Sequence, residues 1–285
     1  MYLQQVVQGL SVGAVYGLIG IGIALIYRTA RIYQFAQGDL AMIGAYVAFG
    51  VFAVWGLPPF VALVAAFLFT MVVGLLIERL AVRPMGSNAL RSLISTMAVA
   101  LLLRELVRVF VDADPRNFPS VFGDDAVNVG GIIIVPQNVW VLFLSVAIAA
   151  GLHLFLARSR TGRSLRSVAQ DPDAAAIHGV DLRRAAVITF AIASALAGVA
   201  GFLIAPLSYL SPTLGVLIGL KGFAAAIVGG MGSIQGAMAG GLLIGMLEAL
   251  SIGFLPSGYR DAIAFALLAF ILLVKPAGLV GARAL

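Results

Sequence analysis

A few polar side chains interrupt the long apolar stretches of this 285-residue sequence, and they are the candidates for binding or catalysis. Burying a polar or charged side chain among apolar residues is costly, so each is expected to line a site or a polar path. The candidates for such a path, with one glycine at a break in an apolar stretch, are Gln34, Gln37, Asp39, Ser95, Thr96, Gly230, Ser233 and Gln235.

Some of the charged groups also have a structural explanation. Asp39 follows Gln37 and Gly38, and a carboxylate there would equally suit the start of a helix. Glu105 and Arg108 are spaced for an i,i+3 ion pair, and long side chains near a helix end, such as that of Arg104, can reach a membrane interface. The sequence leaves both explanations open for Asp39 and favours the structural one for the other three.

The sequence argues against catalysis by this chain. It contains neither a His-Glu-x-x-His motif nor the Gly-x-x-x-x-Gly-Lys-Ser/Thr loop that cradles ATP phosphates. It has no cysteine, which excludes disulfides and thiolate chemistry, and its two histidines, His153 and His178, are far apart in sequence. We therefore expect a non-enzymatic chain that binds no metal and no cofactor.

Composition predicts that these residues sit in a membrane protein. Hydrophobic residues make up 62% of the chain and charged residues 11%, too few charges to cover a soluble domain of this length. We expect an all-α, polytopic transmembrane helix bundle with about 8–9 hydrophobic segments, forming a single transmembrane domain over 1–285. Residues 1–27 resemble a first membrane helix more than a cleavable signal. Apolar stretches of spanning length fall at about 6–27, 35–55, 57–77, 89–111, 138–157, 185–205 and 257–274.

Charge predicts the orientation of the bundle. Four short segments, at 28–31, 79–91, 158–184 and the C-terminal tail, hold 13 of the 18 Lys and Arg residues, which places them on the cytoplasmic side. The N-terminus is then external, the C-terminus cytoplasmic and the number of crossings odd. The segment 112–137 is acidic and external, and a β-branched run within it predicts a small external β-hairpin.

The stretch 213–250 must then begin and end on the outer side. It is broken by Gly229-Gly-Met-Gly-Ser233, so it is expected either to cross twice or to form a re-entrant hairpin. Clustered glycines there favour exposed backbone along a solute path, although close helix packing explains most glycines in such a chain. The four-residue spacing of Gly9, Gly13 and Gly17 is typical of that packing.

The segment 158–184 contains a short helix with its own start and stop signals. Asp171 is a good N-cap, Pro172 suits the first helical position, and Asp173 complements the positive helix end. Ala174 to Ala176 favour helix, and Gly179 ends it. Such a helix, flanked by arginines, can dock in a groove on a partner; the alternative is an ordinary basic loop facing anionic lipid.

Three stretches of the sequence stand out: Gln34-Phe-Ala-Gln-Gly-Asp39 with Ile43-Gly-Ala-Tyr46, then Thr161 through Val180, and Ile227-Val-Gly-Gly-Met-Gly-Ser-Ile-Gln-Gly-Ala237. Together they resemble the branched-chain amino-acid permease family of binding-protein-dependent ABC importers, and the resemblance covers nearly the whole chain. The tail Lys275-Pro-Ala-Gly-Leu-Val-Gly281 also fits. Gln34 and Asp39 stand where the family usually has Asn and Glu.

The resemblance implies a transport subunit of the bacterial cell inner membrane that translocates branched-chain or other hydrophobic amino acids. It implies a second permease subunit, two ATPase subunits that hold ATP and Mg, an external solute-binding protein, and no nucleic acid. The residues it makes an ATPase-coupling segment are Arg163, Arg166, Asp171, Pro172, Asp173, Ala176 and Gly179. Related permeases carry urea, short amides or aromatic acids, and a secondary carrier, a channel or a membrane enzyme are the remaining alternatives.

Overall fold

The computed structural model describes residues 2–86, 88–111, 114–121, 123, 127–129, 132–251, 260–275 and 277–280. The described chain is helical, as the composition predicts. Short π-helical turns extend α2 and α3 at Gly50–Val54 and Glu78–Val82. The α-helices are α1 (Tyr2–Ala30), α2 (Gln37–Phe49), α3 (Pro59–Ile77), α4 (Ala89–Val111), α5 (Pro136–Arg158), α6 (Arg160–Gln170), α7 (Pro172–Ile177), α8 (Leu182–Ile204), α9 (Leu214–Gly229), α10 (Ile234–Ser251) and α11 (Arg260–Val274).

Six of the described helical segments are long and apolar enough to cross a membrane. They correspond to α1, α2, α3, α5, α8 and α10, while α9 and α11 are apolar but shorter. The helix α4 has 23 residues but carries Arg91, Arg104, Glu105 and Arg108, and it is not among the six. Helix length and composition alone therefore support six spans, fewer than the eight or nine that the sequence pattern predicts.

The helix α1 is the centre of the bundle. Its apolar window is 94% buried, whereas those of α3 and α5 are only 28% and 22% buried and expose their apolar side chains outward. In a membrane this exposed surface faces lipid, which explains why apolar residues cover all sides of the peripheral helices.

Glycines let α10 pack directly on α1. The two helices run antiparallel, with Gly9 beside Ala249 and Gly17 beside Met238. A Cβ atom on Gly13 would lie 2.6 Å from the carbonyl oxygen of Gly241, closer than real Cβ atoms approach. The spacing of the α1 glycines therefore reflects close backbone packing, in which small residues bring helices together without a hydrophobic driving force between them.

The chain between α1 and α2 turns back into the bundle. Arg31 has a positive φ of 57° and ends α1 in the manner of a left-handed C′ residue. Extended backbone then leads to Gln37, whose Nε2 donates to the carbonyl oxygen of Ala193 at 2.7 Å beside Gly22. Gly22 lies two helical turns before the end of α1, about 12 Å deep, so α2 begins inside the bundle.

The helices α9 and α10 form a pair that reaches one end of the bundle and returns. We call this end, where α1 finishes, the Arg28 end; Gly232 of the connecting turn packs against the side chain of Arg28. The pair α1 and α10 stays in contact from this turn up to Gly9, a length of about 30 Å, which is enough to span a bilayer. Both ends of the 213–250 segment therefore lie at the end of the bundle opposite the Arg28 end.

The segment 112–137 is described in part. Its strands β1 (Val127–Val129) and β2 (Ile132–Ile134) pair antiparallel, with Val127 opposite Ile134. A bridge between Arg116 and Leu210 ties the segment to the chain before α9. Two strands of three residues leave the fold class all-helical. The acidic residues Asp112, Asp124 and Asp125 predicted for this segment, and Arg283 of the tail, lie outside the described residues.

Candidate functional site

A cavity of about 600 Å³ lies between α1, α4 and α9, beside the point where α2 begins inside the bundle. This volume falls within the range of about 300–1,000 Å³ that is usual for small-molecule pockets. Its walls are largely apolar. Large apolar side chains in the walls include Ile94, Met97 and Leu101 of α4 and Leu220 and Phe223 of α9.

An ion pair lies in the wall of this cavity. Arg104 Nη2 is 3.2 Å from Asp39 Oδ1, and the Arg104 Nε also donates to the same oxygen at 3.2 Å. The Asp39 side chain is 4% exposed and that of Arg104 is 21% exposed. Asp39 lies in the first turn of α2, whose N-cap residue is Ala36. Its buried ion pair and its position in the cavity wall favour the polar-path explanation.

Arg104 is the cavity residue that the sequence interpretation missed. Glu105 and Arg108 do form the predicted i,i+3 pair, at 2.8 Å and largely exposed. Arg104 instead points to the other side of α4 and reaches α2, 65 residues earlier in the chain. The signal that could have found it is Asp39, the single charge of the apolar α2, since such a charge is rarely left unpaired and needs a cation from another segment.

Gln34 also lines the cavity and has a distinct environment. Its side chain is fully buried, and neither its amide oxygen nor its amide nitrogen has a hydrogen-bond partner among the described residues. Buried polar groups in proteins are nearly always hydrogen-bonded, so an unpartnered amide in a cavity marks a place where a ligand can bind. Gln37, by contrast, is held by Ala193 and does not line the cavity.

The other predicted path residues lie apart from this cavity. The Thr96 hydroxyl lies 3.0 Å from the carbonyl oxygen of Leu93 and accepts a hydrogen bond from the backbone N–H of Phe35, next to Gln34. The Ser95 hydroxyl donates to the carbonyl oxygen of Ala81 at 2.7 Å. The structure places Gly230 and Ser233 in the turn between α9 and α10 and Gln235 in the first turn of α10, all at the Arg28 end.

The C-terminal tail covers this glycine-rich turn. The backbone N–H groups of Leu279 and Val280 donate to the carbonyl oxygens of Val228 and Gly229 at 2.8 and 3.0 Å. Gly230 has a φ of 108°, a conformation that only glycine adopts without strain. The interruption therefore makes a tight turn that the tail packs on, and the structure does not bring it to the cavity.

A second buried ionic cluster joins α1, α9, α10 and α11. Lys221 Nζ lies 2.9 Å from Glu248 Oε1 and 2.8 Å from Asp261 Oδ1, and its ammonium sits 5.3 Å from the centre of the Tyr16 ring. Lys221 and Glu248 are buried, while Asp261 is half exposed. Sequence interpretation gave Lys221 no role, although it is the only charged residue in the apolar α9 segment. Because Lys221 lies between two carboxylates and beside the Tyr16 ring, the cluster links these four helices.

One serine matches a hydrolase pattern and is explained by the fold. Ser11 lies in Gly9-Leu-Ser-Val-Gly13, a Gly-x-Ser-x-Gly sequence, which in hydrolases forms a sharp turn from strand to helix. Here the pattern lies inside the continuous α1, and the Ser11 hydroxyl is 2.7 Å from the carbonyl oxygens of Val7 and Asn138. The geometry needed for a nucleophile is not present at Ser11.

The predicted capped helix is present as α7. The Asp171 carboxylate accepts hydrogen bonds from the backbone N–H groups of Asp173 and Ala174 at 2.9 and 3.0 Å. Pro172 is the first helical residue, and Gly179 follows the helix with a φ of 82°. The local sequence thus specifies both ends of α7, as its capping signals predict.

The preceding helix α6 fixes the position of α7 at the Arg28 end. Leu165 and Val168 are buried, Arg166 Nη1 bonds the carbonyl oxygen of Leu156, and Ala175 of α7 packs into the same apolar cluster. Arg163 is exposed. Two neighbouring residues of α7 point outward, Ala176 and Ile177, and Ile177 is 84% exposed. The two side chains therefore form an exposed apolar face of α7, next to the buried Ala175.

These observations define a class of protein. A bundle of apolar helices with a cavity beside backbone broken at membrane depth is typical of membrane transport proteins, since irregular backbone is tolerated there only next to protein or water. The model of the family described as "Branched-chain amino acid transport system / permease component" matches residues 5–272. The chain belongs to this family and is an integral membrane permease subunit of the ABC importer type.

Curated relatives agree over nearly the full length. The high-affinity branched-chain amino acid transport system permease protein BraD of Pseudomonas aeruginosa is 37% identical, over 98% of this chain and 96% of BraD. The corresponding protein LivH of Escherichia coli is also 37% identical with the same coverage. The probable branched-chain amino acid transport permease protein LivH of Methanocaldococcus jannaschii is 31% identical over 93% of this chain and 88% of its own length.

Proposed function

We propose that this chain carries branched-chain or other hydrophobic amino acids across the membrane through the cavity between α1, α4 and α9. The observation that carries the proposal is the combination of apolar walls with a buried Asp39–Arg104 pair, in a member of the branched-chain amino acid permease family. Apolar walls suit an aliphatic side chain, and opposite charges suit a polar head group. The chain supplies a path and no bond chemistry.

Energy comes from separate subunits in this proposal. Two ATPase subunits hold ATP and Mg, and they contact the exposed surface of α7 that Ala176 and Ile177 form. Closure of the ATPase dimer then moves α7 and α6, which pack against α5 and α8. A second permease subunit completes the transport path, and an external binding protein delivers the solute to the side that carries 112–137.

The proposed topology has nine crossings, made by α1, α2, α3, α4, α5, α8, α9, α10 and α11. The N-terminus is external and the C-terminus cytoplasmic, with the hairpin of β1 and β2 outside. Two observations support it. The basic segments at Arg28, 158–184 and the tail all lie at the Arg28 end. The helix α9 ends there and α10 begins there.

The test is reconstitution of the chain with its sister permease, ATPases and binding protein in proteoliposomes. Leucine uptake that requires ATP hydrolysis is the expected result. Uptake of urea, acetamide or an aromatic acid without leucine would replace the substrate and keep the importer class. Uptake by this chain alone, driven by an ion gradient, would overturn the proposal in favour of a secondary carrier.

A further inference from the structure

We propose that Asp39, Arg104 and Gln34 together bind the zwitterionic head of the amino acid, with Arg104 on its carboxylate and Asp39 on its ammonium. This inference rests on the proposed function, in which an amino acid passes through the cavity that these three side chains line. It assigns a role to Arg104 and Gln34, and it makes the Asp39–Arg104 pair a contact that the substrate replaces.

The opposite charges of Asp39 and Arg104 match the two charges of an amino acid. In the structure the two side chains bind one another at 3.2 Å, and both are at least three-quarters buried. An amino acid carries a carboxylate and an ammonium on one carbon, so it can enter between them and offer each a partner of opposite sign. Arginine binds carboxylates through two parallel hydrogen bonds, which would compensate for the contact it gives up.

The Gln34 amide has hydrogen-bonding groups that a zwitterion can pair. Gln34 is fully buried at the cavity wall with both its oxygen and its nitrogen unsatisfied. The amide nitrogen can donate to a carboxylate, and the amide oxygen can accept from an ammonium. A zwitterion supplies both missing partners. Without it, Asp39 and Arg104 pair with one another and the Gln34 amide keeps no hydrogen-bond partner among the described residues.

The walls of the cavity are largely apolar and suit an aliphatic side chain. Ile94, Met97 and Leu101 on one side and Leu220 and Phe223 on the other offer apolar contacts within the same cavity. A ligand with a charged head and an aliphatic side chain matches both parts. Urea and short amides carry no charge and simple acids carry only one, so none of them can offer a partner of opposite charge to both Asp39 and Arg104.

The experiment compares Asp39→Asn, Arg104→Gln and Gln34→Leu in the reconstituted complex, with the number of leucine molecules imported per ATP hydrolysed as the readout. Each variant is expected to lower this ratio at least about tenfold, because each loses one hydrogen bond to a charged head group. Gln34→Asn, which keeps an amide, restores part of the ratio.

The matched control is Glu105→Gln, which removes an exposed ion pair one residue from Arg104 on the same helix. It is expected to keep the wild-type ratio. A second measurement does not depend on the variants: leucine raises the thermal unfolding temperature of the wild-type transporter, and leucinamide and 4-methylpentanoate, which lack one charge each, do not.

The outcomes separate the two proposals. If the wild-type complex imports no leucine, the proposed function fails and the zwitterion site fails with it. If wild type imports leucine and the variants keep its ratio, the site is wrong while the function stands. Equal stabilisation by leucine and leucinamide also overturns the site, even where a variant does not assemble.

Discussion

Gly13 on α1 packs against Gly245 on α10 so closely that a Cβ on Gly13 would lie 3.1 Å from the Gly245 Cα. The same Cβ would lie 2.6 Å from the carbonyl oxygen of Gly241. These neighbours are backbone atoms, which cannot rotate away as a side chain does. The contact between the central helix and α10 therefore depends on the absence of side chains at both positions.

The first prediction follows from that contact. Gly13→Val forces two helices apart, and overpacking of this kind costs about 1–3 kcal/mol. We expect a lower free energy of unfolding in SDS titrations of the purified protein. Gly151→Val is the matched control, because a Cβ at Gly151 of α5 meets nothing within 4 Å. Equal losses for the two variants would contradict the packing argument.

The second prediction concerns the Lys221 cluster. Lys221→Met removes the cation between Glu248 and Asp261 and leaves the buried Glu248 carboxylate without its ion-pair partner. Breaking one partner of a buried pair costs about 3–5 kcal/mol, and SDS titration is again the measurement. The double variant Lys221→Met, Glu248→Gln is expected to recover much of this loss, because the carboxylate charge is removed as well.

The control for the cluster is Glu105→Gln, whose ion pair with Arg108 is exposed on both sides. Surface pairs contribute about 0–1 kcal/mol, so its effect on unfolding should be small. A double variant that is no more stable than Lys221→Met alone would show that the cost comes from lost packing of the lysine stem.

The elements that sequence predicted well are those specified by local chemistry. Asp171, Pro172 and Gly179 set the start and end of α7 through their own side chains and backbone preferences. Apolar length predicted most of the long helices for the same reason, since a segment in lipid must satisfy its backbone internally. These signals need no knowledge of what lies elsewhere in the chain.

The elements that sequence did not predict depend on contacts between distant segments. Arg104 lies near a helix end, where a long cationic side chain can reach the membrane interface. Only the packing of α2 beside α4 shows that Asp39 is its partner. The Gly229 to Ser233 break was equally ambiguous, because a glycine cluster can expose backbone to a solute or form a tight turn. The tail that packs on this turn is more than 40 residues away in sequence.

The third prediction tests coupling through α7. Ala176 is exposed while its neighbour Ala175 is buried, so Ala176→Arg adds bulk and charge to the contact surface without disturbing the fold. We expect normal membrane insertion and assembly of the permease pair, with leucine uptake lost and ATPase activity no longer stimulated by the loaded binding protein. Ala176→Ser, which keeps the side chain small, should behave like wild type. Normal uptake by Ala176→Arg would refute the docking role.

The fourth prediction tests the nine-crossing topology, and the chain suits it because it contains no cysteine of its own. Single cysteines replace exposed residues at the two ends of the bundle: Asp114 and Tyr209 at one end, His178 and Gln235 at the Arg28 end. A membrane-impermeant maleimide applied to intact cells should label only the first two positions. The basic segments at the Arg28 end hold that end in the cytoplasm, where their charge is favoured.

Permeabilised cells provide the control, since all four cysteines should then react. Gln235→Cys is the decisive position, because it lies just after the turn between α9 and α10. Labelling of Gln235→Cys only after permeabilisation, together with external labelling of Tyr209→Cys, requires both helices to cross the membrane fully. External labelling of both positions would instead make 213–250 a re-entrant hairpin and reduce the crossings to seven. The turn between α9 and α10 would then be too shallow to reach the end of α1, where Gly232 packs against Arg28.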